Sequence, residues 1–402
     1  LISVLIDLFS HISPMRDEMA VMRKPTIAIG AIGKSVICPE KYQAMKKLLN
    51  IIGLFFCVAL AQSAQAQVTG KVVDLAGNGI PDVLVSVSVI CGINPPFQPL
   101  PYTAVSGGRT DAQGKYSFDL NIPCRNFGQP SFPFASKNGF IFAPLSIRPA
   151  FVPSVDFIGT NLPAINSMSA ASFVGGTLAG DEIIAAFGAG LSERVELATT
   201  TPLPTTLAGR KLLVKDTLGV EKAAELMYVS PRQINFIMPA GLAHGTVILR
   251  LIADDQAIGA GFAQLQNVAP GLFTANADGI GVLSGLAVRV KPDGSQHYEE
   301  IAQFDAEKGK FVPRPIDLGA ETDQVYLALF GTGLRNRSSL SNARTIIDGV
   351  WIDALYAGPQ LQFPGLDQIN VLLPRSLAGR GEVDVLANVD SIYTNKAQII
   401  VK

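Results

Sequence analysis

Beyond residue 66, apolar and polar positions alternate with a period of two along much of the chain. In Val83-Leu84-Val85-Ser86-Val87-Ser88-Val89 the residues Val85, Val87 and Val89 share one face and Ser86 and Ser88 the other, the pattern of a half-buried strand. Tyr116, Phe118 and Leu120 repeat it after the turn Thr110-Asp111-Ala112-Gln113-Gly114. Ile234, Phe236 and Met238 repeat it again, and Pro239 ends that run. In Gly349-Val350-Trp351-Ile352-Asp353, Val350 and Ile352 suit the core, which sends Trp351 outward beside Asp353. Pro292-Asp293-Gly294-Ser295 and Ala306-Glu307-Lys308-Gly309 read as hairpin turns. Many short strands joined by tight turns predict an all-β chain of three tandem β-sandwich domains.

The C-terminal part contains one module twice. Phe187-Gly188-Ala189-Gly190-Leu191 returns as Phe330-Gly331-Thr332-Gly333-Leu334, Met227-Tyr228-Val229-Ser230 as Leu355-Tyr356-Ala357-Gly358, and Gln233-Ile234-Asn235 as Gln368-Ile369-Asn370, in the same order. The expected boundaries are 67–160, 162–273 and 274–402, with Ala269-Pro270-Gly271 as a short linker between the two copies.

The N-terminus follows a different pattern. Met45-Lys46-Lys47 opens a basic start, an apolar stretch runs to Leu60, and Ala64-Gln65-Ala66 supplies small residues, so 45–66 reads as a secretory signal peptide cut between Ala66 and Gln67. The apolar stretch is short for a membrane span of ~20 residues. A signal peptide should begin a protein, so residues 1–44 are expected to be a mis-assigned upstream extension.

Composition then narrows the function classes. The 402 residues are 48% hydrophobic and only 16% charged, which describes globular domains rather than disorder. Loss of residues 1–66 removes 7 of 32 Lys+Arg and 4 of 33 Asp+Glu, leaving a net charge of −4, which disfavours nucleic acid as a partner. No later run of roughly 18 apolar residues follows, so the mature chain carries no expected membrane span. Cys91 and Cys124 remain as the mature cysteines. In an oxidising compartment, two cysteines in one small domain are expected to form a disulfide rather than a metal site.

The order G-x-V-x-D, then alternating valines, then T-D-x-x-G-x-Y-x-F over 67–160 resembles the carboxypeptidase regulatory-like β-sandwiches and the related B-type repeats of surface adhesins. The isopeptide chemistry of those repeats is not expected here, because no Glu occurs between Gln67 and Gly180. Ala170-Ala171-Ser172-Phe173, the two Gly-x-Gly motifs, Tyr228-Val229-Ser230-Pro231 and Ala269-Pro270-Gly271-Leu272-Phe273 resemble the uncharacterised C-terminal domain of secreted acidobacterial-type proteins. That resemblance implies IPT/TIG immunoglobulin-like halves. The second copy departs by inserting seven residues after Pro359 and by carrying Arg335 and Arg337 beyond its Gly-x-Gly.

Candidate chemistry is thin. The Gly-x-Gly motifs lack a helix N-terminus behind them and read as strand kinks where backbones approach closely. The Gln-Ile-Asn amides are expected to satisfy neighbouring loop backbone. His244 and His297 belong to no spaced metal motif, and no G-x-S-x-G elbow is present. Asp181 with Glu182, and Glu299 with Glu300, are adjacent strand residues that face opposite sides and are expected on the surface. No catalytic residue, cofactor or metal is therefore expected. Trp351, the only tryptophan, stands where the first copy has Lys211 or its neighbour, and is the candidate binding residue. These readings converge on a secreted, non-enzymatic interaction protein at the cell surface, outside the cell or in the periplasm, whose partner is an extracellular protein or, alternatively, a glycan.

Overall fold

The computed structural model describes residues 67–91, 102–120, 131–145 and 154–402. The signal peptide, the upstream extension and Cys124 lie outside the described residues, and Gln67 opens the first strand. Almost all regular structure among the described residues is β-strand, in several separate sheets that pack as sandwich-like units in tandem.

The first unit contains β1 (Gln67–Val73), β2 (Leu84–Cys91), β3 (Tyr102–Arg109), β4 (Lys115–Asp119), β5 (Phe134–Ser136), β6 (Ile141–Pro144) and β7 (Phe157–Thr160). One sheet has the order β4-β1-β7-β6 and the other β3-β2-β5. Between them lie Val68, Val72, Val83, Val85, Val87, Tyr116 and Phe157, so Val85 and Val87 of the alternating run do form the core face. The Asp74 carboxylate accepts the N–H groups of Ala76 and Asn78 and ties the turn after β1. The Tyr116 hydroxyl donates to the carbonyl of Val155 at 2.6 Å, so its burial leaves no orphaned polar atom. The expected Cys91–Cys124 disulfide has no support: Cys91 closes β2, Cys124 falls outside the described residues, and no disulfide occurs among them.

The second unit runs through β8 (Asn166–Ser169), β9 (Thr177–Ala179), β10 (Ile183–Phe187), β11 (Glu196–Leu197), β12 (Lys211–Lys215), β13 (Glu221–Ala223), β14 (Glu225–Val229), β15 (Gln233–Ile237), β16 (Gly245–Ala253) and β17 (Gln256–Gln266). Sheets of order β11-β14-β15-β10-β8 and β13-β12-β16-β17-β9 enclose Ile184, Leu212, Leu226, Ile234, Phe236, Met238 and Leu249.

The third unit comprises β18 (Gly271–Leu272), β19 (Gly285–Val290), β20 (Gln296–Glu300), β21 (Ala302–Asp305), β22 (Lys310–Pro313), β23 (Gln324–Thr332), β24 (Ala343–Ile347), β25 (Val350–Asp353), β26 (Tyr356–Pro359), β27 (Asp367–Leu372), β28 (Gly381–Val389), β29 (Ile392–Tyr393) and β30 (Ala397–Val401). Its sheets have the orders β20-β19-β23-β27-β26 and β25-β24-β28-β29, with β30 beside β28 and a separate β21-β22 hairpin.

The repeated motifs occupy equivalent places. β10 against β15 pairs Ile183 with Ile237 and Ala185 with Asn235, while β23 against β27 pairs Tyr326 with Leu372 and Ala328 with Asn370. Tyr228 faces Asn235 as Tyr356 faces Asn370. Even the hairpin after the long strand is shared: Asp254 and Asp255 in one copy, Asp390 and Ser391 in the other, all take positive φ, as a two-residue mirror-image turn requires.

The units abut one another. Ala143 and Ile158 of the first meet Ile248 of the second, with Phe262 and Leu145 packed alongside. Between second and third, Ala185, Ile183, Ile237 and Met227 are buried with Phe273, Val282, Phe330 and Leu366. Ala269-Pro270-Gly271 is no free linker. The Ala269 N–H donates to the Gly333 carbonyl at 2.9 Å, and β18 pairs with β23 across Gly331 and Thr332. The seven inserted residues after Pro359 also have a structural role, since Phe363 and Leu366 join the apolar seam against the second unit.

Candidate functional site

Trp351 projects from β25, an edge strand of its sheet, and is 51% exposed, while Val350 and Ile352 on either side pack against the core. Cross-strand register builds the surface around it. Trp351 faces Ile346, which faces Leu386, giving one apolar row across three strands. One step along the strands, Asp353 faces Arg344, Arg344 faces Asn388, and Asn388 faces Tyr393, giving a parallel polar row that ends on an exposed ring. Asp353 and Arg344 form an exposed ion pair of 2.8 Å, so the row carries little net charge. Ser338, Ser341, Asn342, Asp390 and Ser391 rim a concavity of about 660 Å³ over Arg344, Trp351 and Asn388. The Asp390 carboxylate accepts from the Ser338 N–H at 2.8 Å and from its hydroxyl, which fixes the rim to the turn. Three interstrand spacings place Tyr393 about 14 Å from the strand of Trp351.

The equivalent of Trp351 is not Lys211. Lys211 begins β12, which pairs with the long strand β16 as β24 pairs with β28, whereas β25 takes the edge place of β13. Ala223, which faces Leu213 as Trp351 faces Ile346, therefore lies where the third unit has Trp351, and the neighbouring Glu221 is paired with Arg250 at 2.5 Å. The aromatic surface belongs to the third unit alone.

The shared motifs prove to be architecture. Gln233 donates through Nε2 to Asn235 Oδ1 at 2.8 Å, and Gln368 to Asn370 at 2.7 Å. The amides thus satisfy each other along the strand rather than bonding loop backbone, because i and i+2 lie on one face. At the Gly-x-Gly kinks, a Cβ on Gly188 would lie 2.7 Å from Leu191 Cδ2, and one on Gly331 2.4 Å from the Gly271 carbonyl oxygen. Close approach, and not anion binding, explains these glycines.

Glu182 corrects the surface expectation. It is fully buried at the seam between the second and third units, because the preceding Asp181 turns in the left-handed region at φ 61° and breaks regular alternation. One carboxyl oxygen accepts the Ala179 N–H at 2.7 Å and Oε1 has no partner. Burial pushes its pKa up to about 8, against the hydrogen bonds from Ala179 and Ser169, and the neighbouring Asp367 adds to the rise. Asp367, also buried, is raised by desolvation despite its 2.7 Å ion pair with Arg335, and it also accepts the Leu334 N–H at 2.9 Å. The hydrogen bonds to the carboxyl come from Ala179 and Ser169, but Gly333, whose Cβ would lie 3.1 Å from the Glu182 carboxyl carbon, and Asp367 close around it from far downstream, which leaves no local signal in the sequence; the nearby Ile183 N–H to Thr332 hydroxyl bond spans 149 positions. The other pair separates as expected: Glu299 meets Arg289 at 2.8 Å and Glu300 is exposed.

Among the described residues no cluster of three or more His, Cys, Asp or Glu converges to hold a metal, and no helix is long and apolar enough to cross a membrane. His244 lies in the loop before β16, and His297 lies on β20 opposite Arg289.

No family model matches the chain, so the resemblances to regulatory-like and IPT/TIG-like domains rest on their motifs. No curated protein matches it. Among solved structures, one described as the crystal structure of a tetra-tandem repeat in the extending region of a large adhesion protein aligns with 84% of this chain and 99% of its own, at 9% identity and a TM-score of 0.17. At that overlap nothing about this chain's arrangement or role follows from the likeness, and the chain is established here as a tandem all-β protein.

Proposed function

We propose that the chain is a secreted, non-enzymatic interaction protein: a carboxypeptidase regulatory-like module followed by two IPT/TIG-like immunoglobulin-like modules, with its contact surface on the outer face around Trp351. The observation that carries this reading is a difference between copies. Gln-Ile-Asn recurs with the same amide bond along the strand and Gly-x-Gly at the same strand end, whereas the exposed indole over a concavity occurs once. An exposed aromatic at the centre of a polar rim is a typical energetic anchor for a partner.

A glycan is the occupant that the two rows favour. A sugar ring offers an apolar face and in-plane hydroxyls, which suits an indole beside amide, hydroxyl and guanidinium groups. The internal Arg344–Asp353 pair leaves little unbalanced charge for a phosphate. Trp351→Ala is expected to leave the thermal unfolding midpoint within about 2 °C of wild type, since it empties no core site. It should also abolish retention on a glycan array. A midpoint fall of the size that follows loss of a buried tryptophan, about 3–5 kcal/mol, with binding per folded molecule intact, would show that the ring is structural. Binding to an envelope protein instead of any glycan, lost in the same variant, would keep the surface and replace the ligand.

Export supports the same reading through the basic, apolar and small-residue order of 45–66. Mass spectrometry of the protein recovered from fractionated native cells is expected to find Gln67 at the N-terminus, and peptides from 1–44 in that material would refute it.

A further inference from the structure

The sheet that carries Trp351 has an exposed ring at each of its two margins. Trp351 projects from β25 at one edge and Tyr393, 55% exposed, from β29 at the other, while their neighbours Val350, Ile352 and Ile392 pack against the core. Register puts both rings on the outer side. Trp351 faces Ile346, Ile346 faces Leu386, and Tyr393 faces Asn388, which lies two positions from Leu386 on the same strand. The rings stand three strands and one row apart, so the line between them runs obliquely over β24 and β28 and its Cα ends are separated by about 16 Å. No single pyranose ring bridges that gap.

Between the rings the surface offers hydrogen bonds and little net charge. The Arg344–Asp353 pair is made through Nε, so the terminal guanidinium nitrogens remain as donors. Among the described residues the Asn388 amide and the Ser391 hydroxyl have no hydrogen-bond partner. Arg344 and Asp353 cancel, which leaves the carboxylate of Asp390, held by Ser338, as the one uncancelled charge on the rim of the concavity. That carboxylate repels an acidic chain. Ser338, Ser341, Asn342, Asp390 and Ser391 form a wall along one side, whereas β25 and β29 end the strand order, with no strand paired beyond either among the described residues. A groove with one long wall and open ends admits the middle of a polymer, and nothing in it closes over a chain end.

Resting on the reading of the Trp351 face as a glycan surface, we propose that its ligand is an uncharged linear polysaccharide held along its length. Trp351 and Tyr393 stack on two sugar rings separated along one chain, and Arg344 and Asn388 bond hydroxyls of the rings between them. Tyr393 is therefore a second binding residue, in a row that the indole does not occupy. Contact at two separated points makes the second one intramolecular once the first is made, so affinity depends on whether the chain is long enough to reach both.

Calorimetric titration of the full mature chain with cello-, laminari-, manno- and xylo-oligosaccharides, from monosaccharide to hexasaccharide, measures that dependence. In the series that binds, affinity is expected to stay low for short oligomers, rise at least tenfold once the oligomer spans both rings, and then level off. Tyr393→Ala should remove this step, keep the weak binding of short oligomers and leave the thermal unfolding midpoint unchanged, because the ring is exposed. Trp351→Ala should lose binding at every length. Tyr298→Ala, at an exposed tyrosine on the opposite sheet, should change nothing. Reduction of the terminal aldehyde of the hexasaccharide should also leave affinity as it was, since the groove holds no chain end. Affinity that is independent of length, a Tyr393→Ala variant that binds the hexasaccharide as the wild type does, or tighter binding of a polyuronate than of the neutral series overturns this proposal and leaves Trp351 as a glycan contact. Failure of all four series to bind overturns it together with the glycan reading.

Discussion

Raising the pH from about 5 to about 9 is expected to destabilise the protein progressively, with the seam between the second and third units failing first. Glu182 drives this. Its folded pKa, about 8, is above its ordinary value of 4.5, so the folded state binds more protons than the unfolded state between those limits. The associated stability is fully present below about pH 4.5 and is lost as pH rises through about 8. At about 1.4 kcal/mol per pH unit the loss amounts to as much as roughly 5 kcal/mol. Asp367, raised by burial as well, acts in the same direction, whereas Asp74 and Asp216, lowered by turn N–H groups, contribute stability above their unfolded pKa that is lost only as pH falls through their folded one. Urea titrations at several pH values measure the slope, and Glu182→Gln should flatten most of it while preserving the oxygen that accepts the Ala179 N–H. Hydrogen exchange at Ile183 should accelerate before exchange in the core of the first unit. A wild-type stability that is level from pH 5 to pH 9 would falsify the assignment.

The second large effect comes from comparing one motif position in the two copies. Gly190 and Gly333 both take positive φ, 66° and 75°, but a Cβ on Gly190 meets nothing within 4 Å. On Gly333 it would lie 2.3 Å from the Ala269 carbonyl oxygen and 3.1 Å from the Glu182 carboxyl carbon. Gly190→Ala should therefore cost about 1–2 kcal/mol, the left-handed backbone term alone. Gly333→Ala adds a clash with backbone that cannot move without unzipping β18 from β23, and is expected to cost at least about 4 kcal/mol. Chemical denaturation of the two variants measures the difference. Equal losses would mean that Ala269 is held less firmly than its 2.9 Å bond to Gly333 indicates.

Where local periodicity decides the outcome, the fold was legible. Ile234, Phe236 and Met238 are core residues, Trp351 points outward between Val350 and Ile352, and the turns at Asp293 and Asp305 are hairpins, all as alternation and turn chemistry predict. Two of the misreadings share one cause: contacts made across a long stretch of chain. Glu182 looked like half of a solvated acidic pair because part of what surrounds it, Gly333 and Asp367, comes from far along the sequence. Ala269-Pro270-Gly271 has the composition of a linker, yet its backbone finds a partner strand in the next unit. The equivalence of Trp351 was misplaced for another reason. The turn between β12 and β13 is longer than the Asp348-Gly349 turn between β24 and β25, so counting from the motifs slips by one strand. The polar row beside Trp351 needed strand register across β24, β28 and β29, which a sequence does not display.

The cover that Phe363, Gly365 and Leu366 lay over Ile183 and Ile237 has a consequence for how the protein is made. Synthesis runs from the N-terminus, so the second unit emerges complete in its own core at Gln266 while its outer sheet face waits for a loop about 100 residues further on, a delay of roughly 5–20 s at ordinary elongation rates. During that interval an apolar sheet face stands open to water beside an unfolded chain. A chain interrupted anywhere between β17 and Leu366 leaves that surface permanently bare, which makes early termination in the third unit a route to aggregation rather than to a shorter working protein.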